Sequence, residues 1–346
     1  MKVKSTILLT FGLAASLALT GCGASSKKSA TPSAEELNLL SNLPGGNGPI
    51  LAVKIDDTPP AHPQINLDRA DVVYIEQVEG GLSRIAAIFS NPKDLPDVVG
   101  PVRSARISDL DILAQYGRVG FAFSGVQRLF YPKIDAANLE NLLADREPAS
   151  IYSRDETRQA PTNLILHPRA LLTKAIDSEK KVLSLLKDPG WKFGPSPAGG
   201  KAIVSASFKW PASKYSATWS ASEKRWLLSY DGSPDLGADG RQLGSPTLIL
   251  QKVSITPSIY HDKVGGITPF SQTVGSGTAY LLRDGRAIPI FWNRSTAETP
   301  TTWTLKDGKS ANFATGQIWI ALTDSDPVFV PVAPAASGSA SPAPKK

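Results

Sequence analysis

One cysteine, one methionine and three histidines are all that this 346-residue chain holds of the side chains most used for soft-metal and redox chemistry. A lone Cys22 excludes any intrachain disulfide, so an exported body would have to be stabilised by its own core. His62, His167 and His261 are far apart in sequence, and the first two precede proline. No pair has the helical or ribbon spacing of a zinc site, so neither a metal nor a cofactor is expected. Phosphate loops of the nucleotide-binding kind are missing, because Gly45-Gly46-Asn47-Gly48 leads into a strand and no Gly-Lys-Ser/Thr follows. No Gly-x-Ser-x-Gly elbow lies between a strand and a helix; Gly275-Ser276-Gly277 is a strand-entry loop. A formal charge of +6 is too small and too dispersed for the basic stripe of a nucleic-acid binder, so no nucleic acid is expected as partner. The apolar stretch from Ile7 to Leu19 is about 13 residues, short of the ~20 that a membrane span needs.

That short stretch belongs instead to an export signal. Lys2 and Lys4 form a positive start, Ile7 to Leu19 the apolar centre, and small residues follow. Leu19-Thr20-Gly21-Cys22 resembles a bacterial lipobox. The resemblance implies that residues 1–21 are removed as a signal peptide and that Cys22 is diacylated, with palmitate-type chains. The chain would then be lipid-anchored at the extracytoplasmic face of the cell membrane. An ordinary secretory signal with an incidental cysteine is the alternative. Removing Lys2 and Lys4 from +6 leaves +4, a mild bias that serves either solubility or attraction to lipid head groups and wall polymers.

About 320 mature residues exceed the size at which a single core stops growing, which points to two domains. Residues 22–43, rich in Ser, Ala, Lys and Pro, read as a flexible stalk, and residues 330–346, rich in Pro, Ala and Ser, as a disordered tail. Residues 44–190 alternate strand and helix signals. Ile50–Ile55, Val72–Val78, Arg84–Phe89 and Val119–Phe123 read as strands, and Ser104–Tyr116, Ala136–Leu143 and Pro168–Leu186 as helices. From residue 200 to 326 the helix signal gives way to period-2 alternation. Val204, Ala206, Phe208 and Trp210 share one strand face, and Trp226, Leu228 and Tyr230 another. Asp284-Gly285 and Asp307-Gly308 mark hairpins. Ile318–Leu322 closes this part as an apolar run. The fold class is therefore α+β, an N-terminal mixed α/β domain followed by a mostly antiparallel β domain.

Chemistry concentrates in the first domain. Gly100-Pro101-Val102-Arg103-Ser104-Ala105-Arg106 runs into the periodic Ile107, Leu110 and Leu113, which places Arg103, Ser104 and Arg106 at a helix start. Free N–H groups there favour a phosphate or carboxylate, and arginine matches both. Alternatively, each arginine pairs internally with Glu76, Glu79 or Asp109. Glu76 and Glu79 fall on opposite faces of their strand, against a two-carboxylate mechanism. Glu79, beside the Gly80-Gly81 turn, is a candidate acid/base or arginine clamp. Arg154, Asp155 and Arg158, followed by Ala160-Pro161-Thr162-Asn163, form a polar loop in which Asp155 is a second acid/base candidate and Asn163 a ligand-orienting amide. Arg84 completes the candidate anion-binding set. The tryptophans Trp210, Trp219, Trp226, Trp292, Trp303 and Trp319 read mostly as core, with sugar stacking as the alternative.

These segments resemble the YerB-type family of bacterial lipoproteins, over about Leu43 to Asp324. The first-domain likeness rests on Pro63-Gln64, Ala70-Asp71-Val72-Val73-Tyr74, Val78-Glu79-Gly80-Gly81, Gly100 to Arg106 and Ala160-Pro161-Thr162-Asn163. The second-domain likeness rests on Gly275-Ser276-Gly277, Arg283-Asp284-Gly285 and Gly316 to Ile320. The family usually has histidine at Thr162 and arginine at His62. The resemblance implies a two-domain envelope lipoprotein and supplies no reaction. The expected role is binding of an anionic wall polymer or an envelope protein. A hydrolase or transferase acting on wall polymers and an envelope assembly scaffold are the alternatives.

Overall fold

Apolar runs such as Leu51–Asp56 and Ile318–Thr323 bury every residue, which a strand achieves only at the interior of a sheet covered on both faces. The computed structural model describes residues 35–333. Its first half contains β1 (Leu51–Asp56), β2 (Val72–Gln77), β3 (Ser83–Phe89), α1 (Ile107–Ala114), β4 (Val119–Phe123), α2 (Tyr131–Ala136), β5 (Leu139–Leu143), β6 (Tyr152–Arg154), β7 (Leu164–Leu166) and α3 (Pro168–Thr173). The second half is all strand: β8 (Lys201–Trp210), β9 (Ser213–Ser220), β10 (Arg225–Tyr230), β11 (Ser233–Pro234), β12 (Gly244–Ser245), β13 (Thr247–Lys252) and β14 (Ile255–His261). It continues with β15 (Ile267–Ser271), β16 (Gly275–Arg283), β17 (Arg286–Arg294), β18 (Thr302–Thr304), β19 (Ile318–Thr323) and β20 (Val328–Pro331).

Thirteen of these strands lie side by side in the order β11-β10-β9-β8-β17-β16-β13-β19-β2-β3-β1-β4-β5, a mixed sheet that runs through both halves. The junction is β19, which pairs in parallel with β13 of its own half and with β2 of the other. Alternation along these strands sends Val73, Ile75, Trp319 and Leu248 to one apolar layer and Val72, Tyr74, Ile320 and Ile249 to the opposite one. Both layers draw on both halves. The tryptophans go largely into them: Trp210, Trp226, Trp292, Trp303 and Trp319 are buried, and Trp219 is half-buried.

Several expectations change. Ala136–Leu143 is not a helix: α2 ends at Ala136 and Leu139–Leu143 is β5, parallel to β4. A run that short satisfies either period, and the open edge of β4 supplies the hydrogen bonds that decide it. The helix read over Pro168–Leu186 stops after α3 and one π turn at Ser178, and Lys180 adopts a left-handed φ of 54°. Beyond it Leu185 bridges to Pro49, and Leu186 is buried. The second half keeps the expected mostly antiparallel pairing, with β19 the strand that runs parallel to both its neighbours. Val204 is exposed at 44% whereas Ile203 is buried, since β20 meets β8 across a one-residue register shift that resets the alternation there.

The stalk also ends early. Asn38, Leu40 and Ser41 are buried, with the Asn38 amide donating to the Gly46 carbonyl and to Ser90 Oγ (both 3.0 Å). At the other end Val330 and Pro331 belong to β20, not to a tail. The signal peptide, Cys22 and residues 334–346 lie outside the described residues.

Candidate functional site

β1, β4 and β5 run parallel, so their carboxyl ends open on one side of the sheet, the place where ligands bind in open sheets of this kind. The chain that leaves each end lines a cleft of about 1380 Å³: Thr58 after β1, Ser124 and Gly125 after β4, Ala144 and Asp145 after β5. Glu79, on the turn between β2 and β3, and Arg84 on β3 form its floor with Arg103, Ser104 and Arg106. A far wall comes from the second half, where β14 and β15 form a separate two-stranded arm ending at Asp262–Val264.

Segment 100–106 is extended because its backbone is shared among neighbours. Val102 N–H donates to Leu164 O (2.7 Å), Arg103 N–H to Lys54 O (2.7 Å) and Ala105 N–H to Gly125 O (3.0 Å). Helix α1 therefore starts at Ile107, three residues later than the sequence reading placed it. Its entry is capped by Asp109, whose carboxylate accepts the Arg106 N–H at 2.6 Å. The helix end thus already carries an internal anion.

The three arginines differ in what holds them. Arg106 Nε lies 2.7 and 2.8 Å from the two Glu79 oxygens, with Thr268 Oγ1 also donating to Glu79. Burial alone would raise the Glu79 pKa, but the Arg106 charge and these hydrogen bonds outweigh it and keep the carboxyl below its usual range. Glu79 is thus a clamp on Arg106, poorly suited to donate a proton. Arg103 Nε sits 2.8 Å from Asp56 Oδ2, at an angle that makes the contact ionic and not a hydrogen bond.

Arg84 has no such partner. Strand register places it opposite Asp56 on β1 and Glu76 on β2, but Asp56 is committed to Arg103 and Glu76 to Lys54. Only 5% exposed, Arg84 donates Nη1 to the Ser104 carbonyl (3.2 Å), leaves Nε without an acceptor and forms no salt bridge among the described residues. Burial and the neighbouring Arg106 and Arg103 charges pull its pKa down to about 10. An arginine held there costs free energy that an incoming anion would return.

Two buried polar clusters support this floor. Beneath α1, Lys54 bridges Glu76 and Asp109 (2.7 Å to the latter), so two carboxylates share one cation. Burial and the Asp109 charge raise the Glu76 pKa to about 7. Behind β3, His62 sits between Asp235 (2.8 Å) and Asp57 (3.4 Å) and stacks on Tyr230 at 4.3 Å. Asp57 also accepts Ser83 Oγ (2.5 Å) and Tyr215 OH (2.6 Å), which joins the two halves of the chain. Burial would lower the His62 pKa, but hydrogen bonds to Asp235 and Asp57 dominate and raise it to about 10.

A folded-state value above the unfolded 6.5 means that folding takes up a proton. This contribution is complete below about 6.5 and is lost as pH rises through about 10. Urea midpoints should therefore fall across that window, and His62→Gln should flatten the fall. An unchanged slope in the variant would refute a charged His62.

The remaining candidates disperse. Asn163 accepts Arg154 Nη1 at 2.7 Å on the exposed β6–β7 loop, and neither Asn163 nor Asp155 lines the cleft, although Arg154 does. Asp155 accepts the Thr157 hydroxyl and N–H and pairs with Arg158 at 3.1 Å, and those contacts hold its pKa low. It is a loop-closing carboxylate. Conversely, Asp56, Lys54, Arg128 and the Tyr260–Val264 arm escaped the sequence reading. For Lys54 and Asp56 a signal existed: two charges in a strand that is otherwise apolar. For the arm none did, because nothing local predicts that residues 260–264 return to the first half.

A family model described as the N-terminal domain of a protein of unknown function, DUF3048, matches residues 41–181, and its C-terminal counterpart matches residues 204–320. A protein of Bacillus subtilis (strain 168) that carries the name lipoprotein YerB is 45% identical over 56 residues, a stretch covering 16% of each sequence. The crystal structure of the YerB protein from Bacillus subtilis superposes with a TM-score of 0.71 at 18% identity. It covers 85% of this chain and 100% of that one, a likeness of fold.

Proposed function

The chain belongs to the DUF3048 family, and on that premise we propose that it is an envelope lipoprotein whose cleft binds a phosphate-bearing anion. Its first-half α/β region and its mostly-β second half would act as one receptor, tethered by acylated Cys22 to the extracytoplasmic face of the membrane. Among the described residues no helix is long and apolar enough to cross a membrane. The supporting observation is Arg84, a nearly buried guanidinium at the floor of an open cleft, flanked by two further arginines and lacking an acceptor for Nε. On the rim Arg128 and Lys263 stand beside Asp145 and Asp262, so the positive excess of the cleft lies at its floor, where three arginines face the single carboxylate of Glu79. A wall polymer or an acidic protein partner would present the same chemistry. The wall-polymer enzyme reading is weaker, since Glu79 is locked ionised against Arg106 and Asp155 stands outside the cleft.

Calorimetric titration with methyl phosphate tests the proposal. One site per chain is expected, with affinity falling as salt rises because the contact is ionic. Absence of any heat, or a site equally strong in Arg84→Gln, would remove it.

A further inference from the structure

The rim of the same cleft carries apolar side chains that the protein itself leaves uncovered. Leu129, on the turn before α2, is 67% exposed, and Val264, at the tip of the β14–β15 arm, is 91% exposed; both line the cleft. The two belong to facing walls that are tied together, because Phe130 and Tyr260 pack at 5.0 Å between ring centroids. Half-buried Ile107, Val126 and Leu82 continue the apolar surface from the rim toward the arginines. The cleft thus has arginines at the bottom and, at the mouth, the two exposed apolar side chains set among Arg128, Lys263, Asp145 and Asp262.

A free inorganic anion would use the charged groups and leave Leu129 and Val264 idle. A hydrophilic polymer would meet apolar rim residues that repay no desolvation. An amphiphile uses both. We propose that the ligand is a phosphate monoester on a single hydrocarbon chain, its head on Arg84, Arg103 and Arg106 and its first methylenes against Leu129 and Val264. This rests on the anion-binding reading above.

The experiment compares octyl phosphate, methyl phosphate, octanol and a short glycerol-phosphate oligomer on the folded chain. Octyl phosphate should bind at least about tenfold tighter than methyl phosphate, since each buried methylene adds roughly fourfold. The double variant Leu129→Ser with Val264→Ser should lose that preference and keep its methyl phosphate affinity. Equal binding of octyl and methyl phosphate would overturn the amphiphile while leaving the anion site standing. If neither phosphate binds, the site reading itself fails. Octanol binding as tightly as octyl phosphate, or the oligomer binding more tightly than either phosphate, would also overturn the proposal.

Discussion

Trp319→Ala should melt the whole body in one transition, at a cost of about 3–5 kcal/mol. That is a large part of the ~5–15 kcal/mol that holds a typical domain together. Trp319, the second residue of β19, is fully buried, in register with Leu248 of β13 on one side and Val73 of β2 on the other. Its indole N–H donates to Gln317 Oε1 (2.6 Å), and Gln317 in turn donates to the carbonyls of Leu67 and Ala70 (both 2.8 Å) in the first half. Truncation thus leaves a cavity in a layer both halves share and loosens the side chain that links them. Denaturant curves read by far-UV circular dichroism and by the remaining tryptophans should shift together. Excised residues 44–190 should fail to fold stably, since β2 would become an open edge with buried-type residues on both faces. Two separate transitions in Trp319→Ala, or a cooperatively folded 44–190 fragment, would show that the halves are energetically independent.

What the sequence could disclose follows from the range of each interaction. β1 to β4 were readable, as were the hairpin at Asp284-Gly285 and the strand Arg225–Tyr230, because period, turn chemistry and burial all lie within a few neighbouring residues. β5 and the end of α3 were not, since an eight-residue Leu/Ala/Asn run takes whichever structure its neighbour offers. The placement of β19 depends on a partner about 245 residues away, and no local pattern encodes it. At the proposed site, the Gly100–Arg106 motif and the Gly80-Gly81 turn fall in one cleft, where Glu79, Arg84, Arg103, Ser104 and Arg106 meet. Which carboxylate pairs with which arginine was beyond reach. Asp56 and Lys54 decide it, and both sit in a strand whose apolar neighbours made it look like plain core.

That division of partners leads to the second large effect. Arg84→Met should weaken phosphate binding by about ten- to a hundredfold, the loss of one charge-assisted hydrogen bond at ~1.5–3 kcal/mol. The same substitution should leave the unliganded protein no less stable, with a gain of up to about 1–2 kcal/mol. Methionine keeps most of the buried stem, removes the orphaned Nε and relieves repulsion from Arg103 and Arg106. A residue retained only to hold the fold would behave the opposite way. Arg106→Met supplies the contrast, because it strands the Glu79 carboxylate and should destabilise. Thermal midpoints with and without methyl phosphate separate the cases: wild type gains from ligand, Arg84→Met starts level or higher and gains little, and Arg106→Met starts lower. A fall in the unliganded midpoint of Arg84→Met comparable to that of Arg106→Met would make Arg84 a structural arginine and take the central support from the proposed site. Stability surrendered at one position without an internal return is the mark of a group kept for something outside the chain.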